Sequence, residues 1–209
     1  MNLSICRNRS PFAACGLLAV ACLVLGTVRP SAAHAAGAPA APNPKDHRIE
    51  LADGKIALTA PDSWVRKTPR VRFIDYEFAV PAAKGDSQDG RITVMGAGGS
   101  VDANIDRWIG QFAQPDGSET KNQVAQSDRK QSIAGAEVRF VDLSGTFHDS
   151  PAPFDPSSKA VEREGYRMLA VIVATPKSGN YFIKFYGPKK TVADHADEFR
   201  KLVDHLQIK

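Results

Sequence analysis

The chain has 209 residues with 27 Lys and Arg against 23 Asp and Glu, a length that allows one domain or at most two small ones. Three of those bases, Arg7, Arg9 and Arg29, fall in the first 35 residues, which hold no acid; residues 36–209 are nearly neutral and make no electrostatic case for nucleic acid or an anionic membrane. The three cysteines, Cys6, Cys15 and Cys22, lie in the same stretch, which excludes disulfides, thiolate nucleophiles and cysteine metal sites from the remainder.

Arg7 and Arg9 precede an apolar run from Phe12 to Val28, and Ala33-His34-Ala35 has the small-residue pattern of a cleavage site. Residues 1–35 therefore read as a secretory signal peptide cut after Ala35, sending the chain by the general secretory route to the periplasm or the medium. Leu23-Val24-Leu25 continues the apolar run beyond Cys22, against a lipoprotein box. The run is shorter than the ~20 residues of a spanning helix, so no stable membrane insertion is expected after cleavage. Residues 36–47 form a Pro/Ala-rich linker, and residues 48–209 a single domain.

The domain opens with a hairpin. Asp53-Gly54 is a favoured two-residue turn, and the pairing it sets puts Leu51 opposite Ile56 and Ile49 opposite Leu58, all on one face. Pro61 and Trp64 end the second strand, with Trp64 as a core plug. Ile74, Tyr76, Phe78 and Val80 then alternate with polar residues as a half-buried strand over 72–80. A polar loop, 81–90, leads to a strand at 91–96.

Next comes the strongest local signal. Val101, Ile105, Trp108, Ile109 and Phe112 recur on one face of a 3.6-residue period, Ser100 can cap the first turn, and Pro115 with Gly117 stops the helix. Gly96-Ala97-Gly98 before it suggests a dinucleotide fingerprint, but Val101 stands where glycine or alanine is required. Gly98-Gly99-Ser100 suggests a nucleophile elbow, but the closing glycine is missing and capping already accounts for Ser100.

Two strands follow at 130–133 and 136–146, joined at Ala134-Gly135. The stretch from Phe147 to Gly165, with Pro151, Pro153 and Pro156, reads as a long irregular connection. Tyr166 to Thr175 is almost continuously apolar, as befits a central strand covered on both faces. In Tyr181 to Tyr186, Tyr181, Ile183 and Phe185 alternate with Lys184. A closing helix is capped by Thr191, with Asp194 completing the box and Val192, Ala196, Phe199, Val203 and Leu206 as its buried stripe.

The fold class is thus α+β: an antiparallel sheet of about seven strands covered by helices on both faces. The order of elements resembles the PsbP-like fold, an α/β/α sandwich found in extrinsic photosystem proteins and small exported bacterial proteins. The resemblance rests on Ile56 to Trp64, the Gly135 turn, Tyr166 to Thr175, the strand ending at Gly187-Pro188 and the closing helix. It implies a binding or accessory domain, usually without catalysis, and carries over no functional residue.

The expectation is an exported, non-catalytic binding or accessory domain that needs no cofactor. His47, His148, His195 and His205 show no metal-ligand spacing. Lys189 and Lys190 stand before the start of the closing helix, where free amides and the helix dipole attract anions; with Thr191 and Tyr186 they form a candidate anion site. Phe147, His148 and Phe154 mark the long connection as a candidate seat for a partner, an unidentified protein or cell-envelope component. Tyr166, Tyr181 and Tyr186 with Arg167 could line a ligand surface, although aromatics on strands are more often core. Two alternatives are a serine hydrolase using Ser100, with His148, Asp149 or His195 as helpers, and a structural protein of the envelope. Oligomeric state is left open.

Overall fold

The computed structural model of the protein describes residues 43–121, 129–150 and 159–209. The expected signal peptide, residues 36–42 of the linker, and Phe154 with its neighbouring prolines lie outside them.

The described strands form two antiparallel sheets. The smaller contains β1 (Arg48–Leu51), β2 (Ile56–Thr59) and β11 (Gln207–Ile208), in the order β1-β2-β11. The larger runs β3 (Val65–Lys67), β4 (Tyr76–Val80), β5 (Gly90–Ala97), β10 (Gly179–Pro188), β9 (Val161–Thr175), β8 (Ala136–Asp149) and β6 (Phe112–Ala113), with β7 (Arg129–Ile133) also paired to β8. The helices are α1 (Val101–Ile109), α2 (Lys189–Asp194) and α3 (Ala196–Asp204). The molecule is therefore antiparallel, as expected, but holds more strand and less helix than a seven-stranded sandwich.

Local chemistry explains the elements that match expectation. In the first hairpin Leu51 pairs with Ile56 and Ile49 with Leu58, and the Lys55 amide donates to the Ala52 carbonyl at 3.1 Å. Ala134 and Gly135 both take positive φ, 48° and 82°, the left-handed pair that a tight two-residue hairpin turn requires. The Ser100 side chain accepts from the Ala103 amide at 3.2 Å and caps α1.

Because β9 lies between β8 and β10, its side chains alternate between two interiors. Leu169, Val171 and Val173 join Ile183, Phe185, Trp64, the small sheet, Val192, Phe199 and Val203. Met168, Ala170 and Ile172 join Phe182, Ile105, Trp108, Phe112 and Phe147. Trp64 does plug the first interior, its ring 6.2 Å from that of Phe185. Trp108 is fully buried in the second, edge-on to Phe182 at 5.2 Å.

Four expectations are corrected. Phe112 is not on the helix: α1 ends at Ile109 with Gly110 as its cap, and Phe112 starts β6. The strand expected over 72–80 begins only at Tyr76. The closing helix is two helices broken at His195, whose φ and ψ of −106° and 9° leave the helical range. Finally, β8 runs on through Phe147, His148 and Asp149, and β9 begins at Val161, so the irregular connection is much shorter than the 19 residues read as loop.

That lengthening depends on a bulge between Gly145 and Phe147. Gly145 has φ 147°, and a Cβ there would sit 2.5 Å from the Ala113 carbonyl oxygen. Only glycine lets β6 approach the bend this closely.

Candidate functional site

At one end of the large sheet the loop between β4 and β5, residues 81–89, folds back over the start of α2. The Asp86 carboxylate accepts from the Thr191 amide at 2.9 Å and from its hydroxyl at 2.6 Å. The Ala83 amide donates to the Thr191 hydroxyl oxygen at 3.0 Å, and the Lys190 ammonium to the Lys84 carbonyl at 2.5 Å. Thr191 is fully buried. It is not the cap expected from sequence, since Pro188 holds that position and α2 starts at Lys189. The amide offered to an outside anion holds the chain's own carboxylate instead.

The same loop reaches β9. The Tyr166 hydroxyl donates to Gln88 Oε1 at 2.5 Å, and Arg163 donates to that oxygen at 3.3 Å. Between the loop, the start of β9 and the start of α2 lies an open cleft of about 570 Å³, lined among others by Asp86, Gln88, Glu162, Arg163, Lys189 and Lys190. Its frame depends on a close crossing of β5 and β10. A Cβ on Gly187 would sit 2.9 Å from the Gly90 Cα, and one on Gly90 would sit 2.6 Å from the Phe185 ring.

The two candidate regions of the sequence thus meet at one end of the sheet, although not as imagined. Lys189 and Lys190 are exposed on the cleft wall. His148 lies on β8 opposite Glu162, with Nδ1 3.8 Å from that carboxylate. Phe147 is core: its ring lies 5.1 Å from Phe112, 5.4 Å from Tyr186 and stacked on Tyr166 at 6.2 Å. Tyr186 is buried as well, and Arg167 is held by Asp142 in a two-pronged ion pair, which raises the pKa of its guanidinium despite partial burial.

The side chains suggested for hydrolysis have other partners. Ser100 Oγ caps α1. Asp149 accepts from Arg163 at 2.8 Å. His195 spans from Glu198 Oε2 at 2.9 Å to the Pro81 carbonyl at 3.1 Å, an arrangement that fills both ring nitrogens where α2 meets α3. No hydrogen bond joins Ser100 to any of them among the described residues. Nor does any group of three His, Cys, Asp or Glu among those residues come close enough to hold a metal ion, and none of the described helices is long and apolar enough to cross a membrane.

A second polar group went unread in the sequence. Arg91 on β5 binds Glu77 with two hydrogen bonds, at 3.0 and 2.8 Å, and also donates to the Tyr186 hydroxyl. Burial works against the Arg91 charge, but Glu77 outweighs it and the pKa rises. Burial pushes the Tyr186 phenol up to about 12. Lys184 sits between, its ammonium lowered to about 8 by close packing first and by Arg107 and Arg91 after that; its side chain still keeps part of its surface in solvent. The signal was available in the parity of β10: Phe182, Lys184 and Tyr186 share a face, and both aromatics are buried. Reading only the 181-183-185 face as apolar hid it.

No family model and no curated protein matches this chain. Among solved structures it is similar to the PsbP of the cyanobacterium Synechocystis sp. PCC 6803, at 9% identity and a TM-score of 0.45, over 78% of this chain and 91% of that one. It is similar to LpqN of Mycobacterium tuberculosis, described as involved in cell envelope biogenesis, at 11% identity and 0.46, over 78% and 89%. A third is PA94 of Pseudomonas aeruginosa, a protein of unknown function, at 12% and 0.39, over 78% and 96%. At these identities and TM-scores the likeness says nothing about function.

Proposed function

We propose that this chain is an exported, non-catalytic binding or accessory domain of the cell envelope, and that it holds a polar partner in the cleft between the 81–89 loop and the start of β9. One observation carries the reading: the cleft has fixed walls. Asp86 ties the loop to α2, Gln88 ties it to β9, and Lys189, Lys190, Glu162 and Glu164 remain on the rim. A preformed polar groove with mixed charge suits a folded partner, because little ordering entropy is left to lose on contact. The capping bond of Ser100 supports the non-catalytic side of the reading. In this reading the scaffold is a PsbP-like sandwich, with α1 over one face and α2 and α3 over the other.

In vivo photo-crosslinking tests it. A photoreactive residue in place of Ser87 or Glu164, both exposed on the cleft, should capture one defined partner in the envelope fraction. The same residue at Lys177, in the turn at the far end of β9 and β10, should not. Equal capture from all three positions, or from none, defeats the proposal.

A further inference from the structure

The face of the large sheet beneath α1 is not uniformly dry. Lys184 stands opposite Thr93 across the β5–β10 pair, and Tyr186 opposite Arg91. The Lys184 ammonium makes no hydrogen bond or ion pair to any described residue and lies 5.9 Å from the centre of the Tyr186 ring. Asp149, the acid that acts on it, is already taken by Arg163. Arg91 is taken by Glu77 and Tyr186. Beside Lys184, Thr93 is 2% exposed and its hydroxyl has no partner among the described residues; beneath α1, the indole N–H of Trp108 is fully buried and has none among them either. Arg107, in the last turn of α1, adds a second cation near enough to act on Lys184.

An interior does not ordinarily leave a closely packed cation and two buried polar groups unmatched, since each costs free energy until something accepts or donates. The unpartnered groups of β5, β10 and α1 are of one kind; Gln111 Oε1, past the end of α1, is an unpartnered acceptor. The Lys184 ammonium and the Trp108 indole only donate, and the Thr93 hydroxyl can. The Tyr186 hydroxyl accepts from Arg91 and keeps its own proton to give. What is missing is an acceptor with negative charge.

We infer that this face of β5 and β10 is an oxyanion site, in which a carboxylate or phosphate group is held between Lys184 and Arg107 and hydrogen-bonded by the hydroxyls of Thr93 and Tyr186. Such a group adds charge-assisted bonds where the surroundings weaken competition from water. None of these residues lines the cleft, so anion binding here and partner capture there succeed or fail separately.

The test uses the full chain with isotope-labelled lysine and amides. Phosphate and acetate are titrated at constant ionic strength, with chloride as the balancing salt, while the Lys184 side chain and the Thr93 amide are followed. The expected result is a saturable response in the millimolar range. It should weaken by about tenfold or more in Lys184→Met and, independently, in Arg107→Gln, each of which removes a charged donor. Arg107 is exposed on α1, so its variant keeps the test decisive even if the first folds poorly. Co-sedimentation with phosphatidylglycerol vesicles, but not phosphatidylcholine ones, and lost in Lys184→Met, would assign the anion to a lipid headgroup. Binding of free phosphate or acetate without vesicle binding would assign it to a soluble ligand. A linear response equal to that of chloride, or one undiminished in both variants, overturns the site.

Discussion

The two faces of β10 are built from consecutive residues and solve opposite problems. Ile183 and Phe185 enter an interior of aliphatic and aromatic groups, where Phe185 meets Trp64 at 6.2 Å and Phe199 at 5.7 Å. Phe182, Lys184 and Tyr186 enter one that begins with Trp108 and ends in a line of charges, Glu77, Arg91 and Lys184. The first face gains free energy from every atom it buries. The second gives part of that gain back to hold polar groups in place. Apolar packing and the holding of polar groups are thus divided between the two sides of one strand.

The largest effects should come from removing the apolar anchors on either side. Phe185→Ala on the dry face and Trp108→Ala on the mixed one should each cost ~3–5 kcal/mol in denaturant melts, the range for large aromatic truncations. If Trp108→Ala left the midpoint unchanged, α1 would not be seated on the sheet and the mixed face would lose its roof.

Thr191→Val keeps the shape but removes the hydroxyl that links Asp86, Ala83 and α2. It should cost ~1–3 kcal/mol, the penalty for buried partners left unsatisfied. The cost should be local as well as global: faster hydrogen exchange at the Ala83 amide, with β8 and β9 unaffected, would mark the 81–89 loop as released.

Lys184→Met should stabilise the chain near neutrality, by about 1 kcal/mol once solvent access to the ammonium is discounted. The sign follows from its pKa, about 8 in the folded chain against 10.5 for an ordinary lysine. Between those values the unfolded chain binds more protons, so stability rises with pH; below 8 the penalty is constant. Tyr186 acts in the opposite direction at higher pH. Its phenol, pushed up to about 12 from 10.0, makes stability fall as pH climbs from 10 to 12. Burial is the first cause of both shifts; Arg107, Arg91 and Asp149 also act on Lys184, and Arg91, Asp149 and Glu77 on Tyr186. A melt series showing the rise from pH 8 in the wild type but not in Lys184→Met checks the assignment, and an unchanged rise contradicts it.

The smallest effect belongs to the rim of the dry face. Glu198 is held below its ordinary 4.5, first by His195 and also by Trp64 and Ser63. A lowered carboxyl pKa stabilises above the unfolded value and is lost as pH falls through the folded one. Glu198→Gln should therefore shift the midpoint little at neutral pH and flatten part of the acid loss below about pH 4.5, as read by melts between pH 3 and 6.

What could be read in the sequence was local. The register of the first hairpin, the Ala134-Gly135 turn, the Ser100 cap and the burial of both sides of β9 each follow from residues a few positions apart. What could not be read depends on distant partners. Asp86 meets Thr191 across 105 positions of chain, and a carboxylate in a polar loop carries no mark of the amide it will find. His195 breaks the closing helix where Glu198 and the Pro81 carbonyl take its ring, and the helical stripe runs through it without a sign. Phe147 looked like a loop aromatic because prolines follow closely, yet beyond the register shift at the Gly145 bulge β8 goes on pairing with β9, and Phe147 is buried. Lys184 is the instructive miss: its period-2 position was visible, but polar residues on strands are read as outward by habit.

The order of strands also has a kinetic consequence. β9 and β10 are joined by a short turn and pair along ten residues, whereas the pairing of β5 with β10 closes a loop of 95 positions, from Arg91 to Tyr186. Short closures come early and long ones late, because chain entropy must be lost before distant contacts repay it. A refolding chain should therefore hold a β9–β10 hairpin with Lys184 still solvated, and Thr93 and Arg91 arrive only when β5 docks. The titration of that single lysine is then a clock for the step at which the two halves of the large sheet join.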